Sequence, residues 1–588
     1  MNDPRIFGTN RNPVTDHLDL WTSALLVKST AGRGSGGPLE AYGVNKLRTL
    51  ILELAVRGKL LPQDPNDEPA TTLLKRIAAE KVRLIKEGVV KRVKPLPDIV
   101  EAEKDFELPM GWVFVRLGDI AFSQAGFAFK SRYFNESAEG LPLIRIRDVG
   151  QPFTGTYYSG EYRDEFIVEQ GDYLISMDGE FRVSPWANGR ALLNQRVSRL
   201  IFFTENLGKR FIADSLQTRL RKLQGVKAYT TVDHLSGAQI TESVIGLPPL
   251  AEQRRIVAKV DELMALCDQL EQQQGIGIEA HQTLVETLLG TLTRVESAQE
   301  FAAAWNRIAE HFDTLFTTEH SIDQLKHTIL QLAVMGKLVS QNPIEEPANA
   351  LLAAIASEKE ALVAEGRIGR QKLYPDISEE ERRFVAPLGW QWVRLDSLFN
   401  VIVDCPHSTP KFTDSGFLCL DTNSFKQGAL IESKFRYVDA DTFSERIARI
   451  SPDKGDIVFA REGSVGESVV LPEGLRCCLG QRVMLFRPSS RLNSEFLRLA
   501  ISSPRSLEAL LELHKGIGAK HVNVGDMRGF AIALPPAAEQ HRIVAKVEEL
   551  MALCDALKAR LAEAQTTQIR LADAIVERAV AAPEVASV

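Results

Sequence analysis

The chain contains two copies of one framework. Residues Lys46–Ile120 return as Gln324–Leu398 at a constant spacing of 278 positions, and 37 of the 75 aligned residues are identical. A second block, Leu247–Leu270, returns as Leu534–Leu557 at a spacing of 287 positions, with 20 of 24 residues identical. The stretches between these blocks are mostly dissimilar. The 588-residue chain is therefore predicted to hold two similar frames that carry two different inserts.

The repeated blocks have the periodicity of helices. Asn45–Arg57 places apolar residues at i, i+3 and i+4, and Gly58 follows where a helix commonly ends. A second helix is predicted over about 71–87, and both patterns recur in the second copy. After each double proline, a longer helix is predicted, with Glu252 or Glu539 in its first turn, favourable for the helix dipole.

The long helices carry apolar residues at alternating steps of four and three, which is the a/d pattern of a coiled coil. An ordinary core helix is the alternative, but two nearly identical seams in one chain favour antiparallel pairing. A helix of about 37 residues would be about 55 Å long. The seam residues are Ile256, Val260, Leu263, Cys267, Leu270, Ile543, Val547, Leu550, Cys554 and Leu557.

The inserts have the pattern of short strands separated by turns. Pro142–Val149 and Asp172–Met177 are predicted strands in the first, and Gly455–Ala460 and Arg482–Pro488 in the second. The fold class is therefore α+β. The polar, glycine-rich N-terminus is predicted to be a tail or linker, since AGRGSGG lacks the GK[ST] ending of a phosphate-binding loop.

Composition and charge narrow the class of protein without deciding it. The net charge is −7, but each insert carries a charge of about +1. The excess of acidic residues therefore lies in the helical frame. This distribution permits DNA binding and no more. The six cysteines show no metal-ligand spacing, which predicts no metal site and a reducing, cytoplasmic location. No apolar run reaches a membrane span, and the N-terminus lacks a signal-peptide pattern.

Several motifs together resemble the specificity subunit of type I restriction–modification enzymes. LPPLAEQRRIVAKV (Leu247–Val260) and LPPAAEQHRIVAKV (Leu534–Val547) are similar to the segments that close a target-recognition domain in that family. GWVFVRLGDI and GWQWVRLDSL resemble its domain-opening strands. GFAFKSRYF (Gly126–Phe134) and DCPHSTPKF (Asp404–Phe412) resemble two beginnings of such recognition domains. The resemblance covers the chain from about residue 46 onward.

The resemblance implies two target-recognition domains of mixed α/β character, joined by duplicated long helices in antiparallel coiled-coil pairing with pseudo-two-fold symmetry. Each domain would read one half of a bipartite, asymmetric target in double-stranded DNA, and the helices would set the gap. The implied division is a tail (1–45), a first helical block (46–110), recognition domain 1 (111–247), central helices (248–388), recognition domain 2 (389–534) and a C-terminal spacer helix (535–588).

The resemblance also implies partners and a division of labour. Methyltransferase subunits, commonly two, would dock on the helices, and endonuclease or translocase subunits would join that core. This chain would do no chemistry and hold no cofactor, while its partners would use S-adenosylmethionine, ATP and Mg. A related methyltransferase-only or type IIB-like system is an alternative. A helical scaffold that binds only protein would leave two arginine-bearing inserts unexplained.

Side chains that can make bidentate contacts with bases are the candidate DNA readers, because Arg and Lys suit guanine while Asn and Gln suit adenine. Phosphate contacts or solvated faces are competing interpretations for each. Arg145 and Arg147 are expected to share one strand face. The candidates are Lys130, Arg132, Arg145, Arg147, Arg182, Asn194, Gln195, Arg196, His407, Thr409, Lys411, Arg461, Gln481, Arg482, Lys520 and His521.

An enzyme is the remaining alternative, and the sequence gives it little support. The Asn-Pro pairs at Asn12 and Asn342 do not fit the [ND]-P-P-[YFW] motif of a DNA methyltransferase. Neither an ATP-binding GxxxxGK[ST] motif nor a nuclease-like pairing of carboxylates with lysine is found. The prediction from sequence is a non-catalytic DNA-recognition subunit.

Overall fold

A computed structural model describes residues 13–27, 39–88, 90, 95–225, 234–295, 298–369, 372–512 and 521–581. The chain divides into two compact units. Unit 1 consists of Met1–Gly277 together with Ala564–Val588, and unit 2 consists of Ile278–Glu563. Each unit contains sheets and helices, so the predicted mixed fold with two sheet-containing domains and long helices is confirmed at that level.

Unit 1 begins with helices and continues into a sheet-rich insert. Its helices are α1 (Leu18–Ser23), α2 (Tyr42–Val56), α3 (Ala70–Lys86), α4 (Lys209–Gly225), α5 (Gly237–Glu242) and the start of α6 (Leu250–Arg294). Its strands are β1 (Leu26–Val27), β2 (Leu39–Glu40), β3 (Val113–Arg116), β4 (Ala121–Ala125), β5 (Phe134–Asn135), β6 (Leu141–Ile144), β7 (Tyr157–Tyr158), β8 (Ile167–Val168), β9 (Tyr173–Ser176), β10 (Val183–Pro185), β11 (Ala191–Leu193), β12 (Val197–Phe202) and β13 (Val244–Leu247).

Two sheets form the insert of unit 1. One has four antiparallel strands in the order β10-β9-β12-β4, and the other has five in the order β5-β7-β6-β11-β8. Within the second sheet β6 and β11 run parallel, so their carboxyl ends lie together. Strands β3 and β13 pair antiparallel and bring the start and end of the insert side by side.

Unit 2 repeats this plan with a different insert. Its helices are α7 (Ala298–Glu310), α8 (Phe312–Leu315), α9 (Glu319–Val334), α10 (Ala348–Ala364), α11 (Leu395–Leu398), α12 (Ala440–Ile447), α13 (Ser494–Ser502), α14 (Pro504–Glu512), α15 (Val524–Gly529) and the start of α16 (Ala537–Ala581). Its strands are β14 (Gln391–Arg394), β15 (Phe399–Asp404), β16 (Phe412–Thr413), β17 (Phe417–Leu420), β18 (Phe425–Lys426), β19 (Ala429–Leu430), β20 (Arg436–Val438), β21 (Ile457–Ala460), β22 (Ser468–Val470), β23 (Cys477–Leu479), β24 (Val483–Pro488) and β25 (Ala531–Leu534).

The sheets of unit 2 follow the same logic. The main sheet has the antiparallel order β15-β24-β21-β22, and a second sheet has the order β16-β20-β17-β23, in which β17 and β23 are parallel. Strands β14 and β25 close the insert as β3 and β13 do in unit 1, and β18 pairs with β19. Cys477 and Cys478 on β23 face different buried clusters, as adjacent residues of a strand do.

The two long helices are each 45 residues, longer than the predicted 37. At 1.5 Å per residue each is about 68 Å long. Helix α6 begins in unit 1 and ends in unit 2, whereas α16 begins in unit 2 and ends in unit 1. The predicted seam lies in the cores: Ile256, Val260, Leu263 and Cys267 are buried in unit 1, as are Ile543, Val547 and Cys554 in unit 2, while Leu270, Leu550 and Leu557 are half-buried.

A third helix contacts both long helices within each unit. In unit 1, Arg48 of α2 pairs with Asp268 of α6 at 2.7 Å, and Lys46 pairs with Asp573 of α16 at 2.7 Å. In unit 2, Lys326 of α9 pairs with Asp555 of α16, as Arg48 does with Asp268, and Gln324 Nε2 donates to Glu286 of α6 at 3.5 Å. The seams therefore pack into three-helix cores within each unit, which the heptad pattern alone did not predict.

The predicted N-terminal tail is wrong for residues 13–27. Trp21 of α1 is fully buried, and Val14 lies in the same core as α2. Gly43 lies so close to the Trp21 backbone that a Cβ atom there would sit 2.3 Å from its carbonyl oxygen. Trp21 and Val14 thus pack this segment against the frame. The glycine cluster at 31–37 lies outside the described residues.

A buried carboxylate ties each long helix to the repeated block before it. Glu252, in the first turn of α6, accepts hydrogen bonds from Trp112 Nε1 at 3.0 Å and Gln63 Nε2 at 3.3 Å. Glu539 repeats the pattern with Trp390 and Gln341. Burial raises the pKa of both carboxyls. These residues therefore do more than complement a helix dipole, because they supply the acceptor for a buried indole N–H.

Substituting this carboxylate is expected to destabilise unit 1. Glu252→Ala would leave the indole N–H of Trp112 without its acceptor, which costs about 1–3 kcal/mol. Denaturant unfolding followed by tryptophan fluorescence measures the loss. Glu262→Ala, an exposed position on the same helix paired with Lys259, is the matched control and should change stability by less than about 0.5 kcal/mol. Equal losses for the two variants would contradict the structural role.

Candidate nucleic-acid interface

The predicted readers of unit 1 lie mainly where several strands end together. Phe127, in the loop after β4, accepts a hydrogen bond from the Gln195 backbone at 2.9 Å and donates one to Leu193 at 2.9 Å. Asn194 N–H donates to the carbonyl of Ile144, the last residue of β6, at 3.3 Å. The segments at these strand ends, together with 177–182 and His234, form what we call the loop cluster of unit 1. It consists of residues 126–134, 144–148, 177–182, 194–196 and 234.

A buried acid lies in this cluster between two exposed side chains. Asp178, 7% exposed, accepts a hydrogen bond from Arg196 Nη1 at 2.7 Å, and its other oxygen lies 2.6 Å from His234 Nδ1. The side chains of Arg196 and His234 are 59% and 63% exposed. Backbone pairing fixes all three, because Met177 N–H donates to Arg196 and Leu235 N–H donates to Met177.

Other candidates of unit 1 occupy the same cluster with different contacts. Asn194 and Gln195 lie just before β12, and Gln195 is exposed. Arg182 lies in the β9–β10 hairpin, where it pairs with Glu180. Arg132 lies over the ring of Tyr133 at 4.8 Å, and Lys130 is exposed just before it. All five can present polar groups to a ligand.

The expectation that Arg145 and Arg147 share one strand face is wrong. Strand β6 ends at Ile144, and residues 146–148 form a turn of 3-10 helix. Asp148 causes the early end, because its buried carboxylate accepts hydrogen bonds from the backbone N–H groups of Arg145 at 2.7 Å and Thr154 at 2.9 Å. Arg145 is exposed beside Asn194, whereas Arg147 is held by the hydroxyls of Thr154 and Thr156.

Unit 2 brings its candidates together in the same way. Thr409 Oγ1 donates to Gln481 Oε1 at 3.0 Å, and Gln481 Nε2 donates to the carbonyl of His407 at 3.0 Å. Cys405 N–H donates to Val483, which fixes this loop beside β24. We call residues 404–412, 461–463, 480–482 and 521 the loop cluster of unit 2. Lys411 is exposed in its first loop, and Lys520 lies outside the described residues.

A network of charges organises the loop cluster of unit 2. Arg461, 9% exposed, hydrogen-bonds Asp404 through Nη1, and its Nη2 lies 3.6 Å from Glu462. The other oxygen of Glu462 lies 3.6 Å from Nε of Arg482, which is 56% exposed. His407 Nε2 lies 3.4 Å from Asp404. Arg461 is therefore the interior member of the network, while Arg482 and His407 face outward.

The two loop clusters share one backbone plan. Asp178 and Glu462 each precede a glycine of positive φ, Gly179 and Gly463. The backbone of each acid also pairs with that of a histidine in a short antiparallel β-bridge. The bridging histidines are His234 and His521. Arg196 and Arg482 hold equivalent positions in the two clusters. The backbone carbonyl of Arg196 accepts a hydrogen bond from Met177 N–H at 3.0 Å, and that of Arg482 accepts one from Arg461 N–H at 2.9 Å, and in each unit the donor directly precedes the acid.

The sequence reasoning missed His234 and the acids Asp178 and Glu462 as members of this cluster. One signal was available, because His234 and His521 are separated by 287 positions, which is the spacing of the second repeated block. The repeat therefore extends back to the histidine, although few residues between it and that block are identical. The positive φ of Arg482, +71°, could not be read from the sequence.

The described residues show no other obvious site chemistry. Among them, no group of three or more His, Cys, Asp or Glu side chains is placed to hold a metal ion. None of the described helices combines the length and the apolar character that crossing a membrane requires. All six cysteines are buried and unpaired.

Comparison with known families agrees with the duplicated architecture. Residues 109–280 and 387–565 each match the family model described as "Type I restriction modification DNA specificity domain". These two regions make up more than half of the chain. They contain both loop clusters and the starts of both long helices.

Similar whole proteins extend the match to nearly the full length. The specificity subunit of the type I restriction enzyme EcoAI from Escherichia coli is 38% identical over 592 residues, covering 96% of this chain and 99% of that protein. The EcoEI specificity subunit, also from Escherichia coli, is 38% identical over 605 residues, with the same coverage. The chain belongs to the specificity subunits of type I restriction enzymes. The crystal structure of the HsdS subunit from Thermoanaerobacter tengcongensis aligns with 82% of this chain and 99% of its own at 20% identity and a TM-score of 0.39.

Proposed function

We propose that this chain is the DNA-recognition subunit of a type I restriction–modification complex, in which each loop cluster reads one half of a bipartite, asymmetric target. The observation that carries this proposal is the duplicated placement of two loop clusters on inserts whose sequences are mostly dissimilar. Each cluster lies at the same strand ends and exposes an arginine that pairs with an acid, at 2.7 Å for Arg196 and at 3.6 Å for Arg482. Exposed, oriented arginines are the side chains that most often read guanine.

The recognition domains are proposed to be residues 111–247 and 389–534, with helical blocks at 46–110 and 248–388 and a C-terminal helix from 535. In this proposal α6 and α16 pair antiparallel, give the chain approximate two-fold symmetry and set the gap between half-sites. The buried seams support this. In unit 1, buried residues of α6, of the end of α16 and of α2 belong to one hydrophobic core.

The partner subunits are proposed to dock on the long helices and to supply all chemistry. Two large apolar side chains are exposed on each long helix, and we propose these four as contact positions for the partner subunits. They are Ile276, Leu284, Leu553 and Leu571. Methyltransferase subunits, commonly two, would bring S-adenosylmethionine, and endonuclease or translocase subunits would use ATP and Mg. A methyltransferase-only or type IIB-like complex would use the chain in the same way.

DNA binding is expected to depend on the partner. The isolated chain should bind DNA weakly, and the chain with its methyltransferase subunits should bind one bipartite site with a preference of about 10³-fold or more over other DNA. Fluorescence anisotropy at a stated salt concentration measures this, because salt alone changes affinity strongly. Leu553→Gln should weaken assembly, and Glu549→Gln on the same helix is its control.

Three results would contradict the proposal. Equal affinity of the complex for target and unrelated DNA would remove sequence recognition. Unchanged assembly in Leu553→Gln and the other exposed apolar positions would remove the docking surface. Methylation of DNA by the purified chain with S-adenosylmethionine would show that it is itself an enzyme.

A further inference from the structure

Each loop cluster combines an acid, an arginine and a histidine at equivalent backbone positions. In unit 1 these are Asp178, Arg196 and His234, and in unit 2 they are Glu462, Arg482 and His521. We call each set an acid-centred trio. The inserts around them are mostly dissimilar, so the recurrence of the three residue types calls for a shared physical reason.

The acid of unit 1 holds its partners firmly. An exposed ion pair contributes little because water solvates both charges. Asp178 differs in being 7% exposed, so losing its partners would leave a buried, uncompensated charge. The 2.7 Å bond to Arg196 and the 2.6 Å contact with His234 therefore persist, and two exposed side chains are oriented before any ligand arrives.

The anchored atoms determine which atoms remain for a ligand. Asp178 binds Arg196 through Nη1, and the rest of the planar guanidinium fork, which carries further N–H donors, belongs to a side chain that is 59% exposed. His234 contacts the acid through Nδ1, which leaves Nε2 as its other polar atom. The trio thus offers an oriented donor fork beside a second polar atom.

The charge of the trio favours a base over a phosphate. A carboxylate next to Arg196 balances its positive charge and would repel a phosphate anion brought to the same place. The acceptor atoms O6 and N7 of guanine carry no formal charge, so they gain from the oriented donors without that repulsion. In unit 2 two acids balance two arginines, because Asp404 pairs with Arg461 and Glu462 lies between Arg461 and Arg482.

The backbone of unit 2 adds an independent observation. Arg482 has φ +71°, a left-handed conformation that costs energy for a residue other than glycine. Such strain persists where the surroundings fix it and is concentrated at functional sites. The Arg461 N–H bond to the Arg482 carbonyl at 2.9 Å holds this turn, so the chain maintains an unfavourable conformation that presents an exposed arginine.

We propose that each acid-centred trio contacts a guanine-containing base pair of its half-site, with Arg196 and Arg482 as the readers, His234 and His521 beside them, and Asp178 and Glu462 as positioning residues. This rests on the proposed function, because it assigns the contacts within the DNA-binding surface. It adds His234 to the readers and gives the two acids a role in specificity.

The test uses the assembled complex of the full chain with its methyltransferase subunits. Affinity is measured for the target and for every single-base variant of it, at several salt concentrations. The variants are Arg196→Ala, His234→Ala and Asp178→Asn, with Arg190→Ala as the matched control. Arg190 is also an arginine of unit 1 with 60% exposure and an acidic partner, Glu169, but it lies at the opposite end of β11 from the loop cluster.

Arg196→Ala is expected to lower affinity for the target by about 5- to 150-fold and to abolish the preference at one base pair of one half-site. His234→Ala and Asp178→Asn should weaken the preference at the same base pair. Once both Arg196 and His234 are replaced by alanine, Asp178→Asn should cost nothing further, since the acid then has no side chain to position. Arg482→Ala should act in the other half-site, and Arg190→Ala should bind like the wild type.

Each contrary result has a distinct meaning. Uniform loss for all sequences, with the salt slope reduced by about one, would make Arg196 a phosphate contact and overturn the assignment. Unchanged affinity and preference in Arg196→Ala and His234→Ala would also overturn it, while the proposed function would stand if the wild-type complex still distinguished its target. A wild-type complex without sequence preference would refute the proposed function itself. Thermal unfolding of each complex shows that the variants remain folded.

Discussion

Replacing residues 121–246 with the corresponding insert of another specificity subunit is expected to change one half of the DNA target completely and leave the other half unchanged. The reason is the separate construction of the two inserts, each closed by its own antiparallel pair, β3 with β13 and β14 with β25. Sequencing of methylated sites across a genome, in cells carrying the variant and its partner subunits, measures the result.

The structure adds one condition to this replacement. Helix α4 belongs to the insert, but Phe211 and Leu216 on it are buried in the same core as Leu47 and Leu50 of α2. The transplanted insert must therefore carry apolar residues at these positions, or unit 1 loses packing. Replacing 399–533 is the reciprocal control and should change only the other half. A change in both halves after either replacement would contradict independent recognition domains.

Inserting four residues into both long helices is expected to lengthen the gap between half-sites by about two base pairs. Four helical residues add about 6 Å along the axis, and one base pair occupies about 3.4 Å of DNA. The insertions belong after Gly277 in α6 and after Glu563 in α16, where the two units divide. The neighbouring residues of α6 are mostly exposed, so the cores of either unit should be little affected.

The same mapping of methylated sites measures the gap. Both half-sites should keep their sequences, because neither loop cluster is altered. Four-residue insertion in the exposed turn at Gly474, within the second insert and at the opposite end of β23 from the loop cluster of unit 2, is a control that should leave the gap unchanged. An unchanged gap after the paired helix insertions would show that α6 and α16 do not set it.

The repeated frame could be predicted well because the pattern that identifies a helix lies within a short stretch of sequence. The spacing of apolar residues and the glycine that follows predicted α2 and α3 within a few residues of their observed bounds. The alternating steps of four and three residues predicted which side chains of the long helices are buried. What the local pattern could not give was the neighbour. Arg48 pairs with Asp268 of α6, a residue distant in sequence, and nothing in a heptad indicates that a third helix will share its apolar face.

The site was predicted less completely, and the reasons are physical. Arg196 and Arg482 were identified by their side-chain type, and β24 begins one residue after the predicted start at Arg482. Arg145 and Arg147 were misplaced because the carboxylate of Asp148 competes with strand pairing for backbone N–H groups. The spacing of 287 positions marks His234 as part of the repeat, but it does not show that His234 pairs with Asp178, more than fifty residues earlier.

The division of the chain has a consequence for its synthesis. Unit 2 is one continuous stretch, Ile278–Glu563, whereas unit 1 needs Ala564–Val588 from the far end of the chain. At a ribosomal rate of about 5–20 residues per second, the amino-terminal part waits for tens of seconds before α16 arrives to bury Ala572 and Ile575. Until then the apolar face of α2 lacks the part of the core that the end of α16 contributes. The half that is made first is therefore the half that finishes folding last, and a message truncated by even a few tens of codons leaves it incomplete.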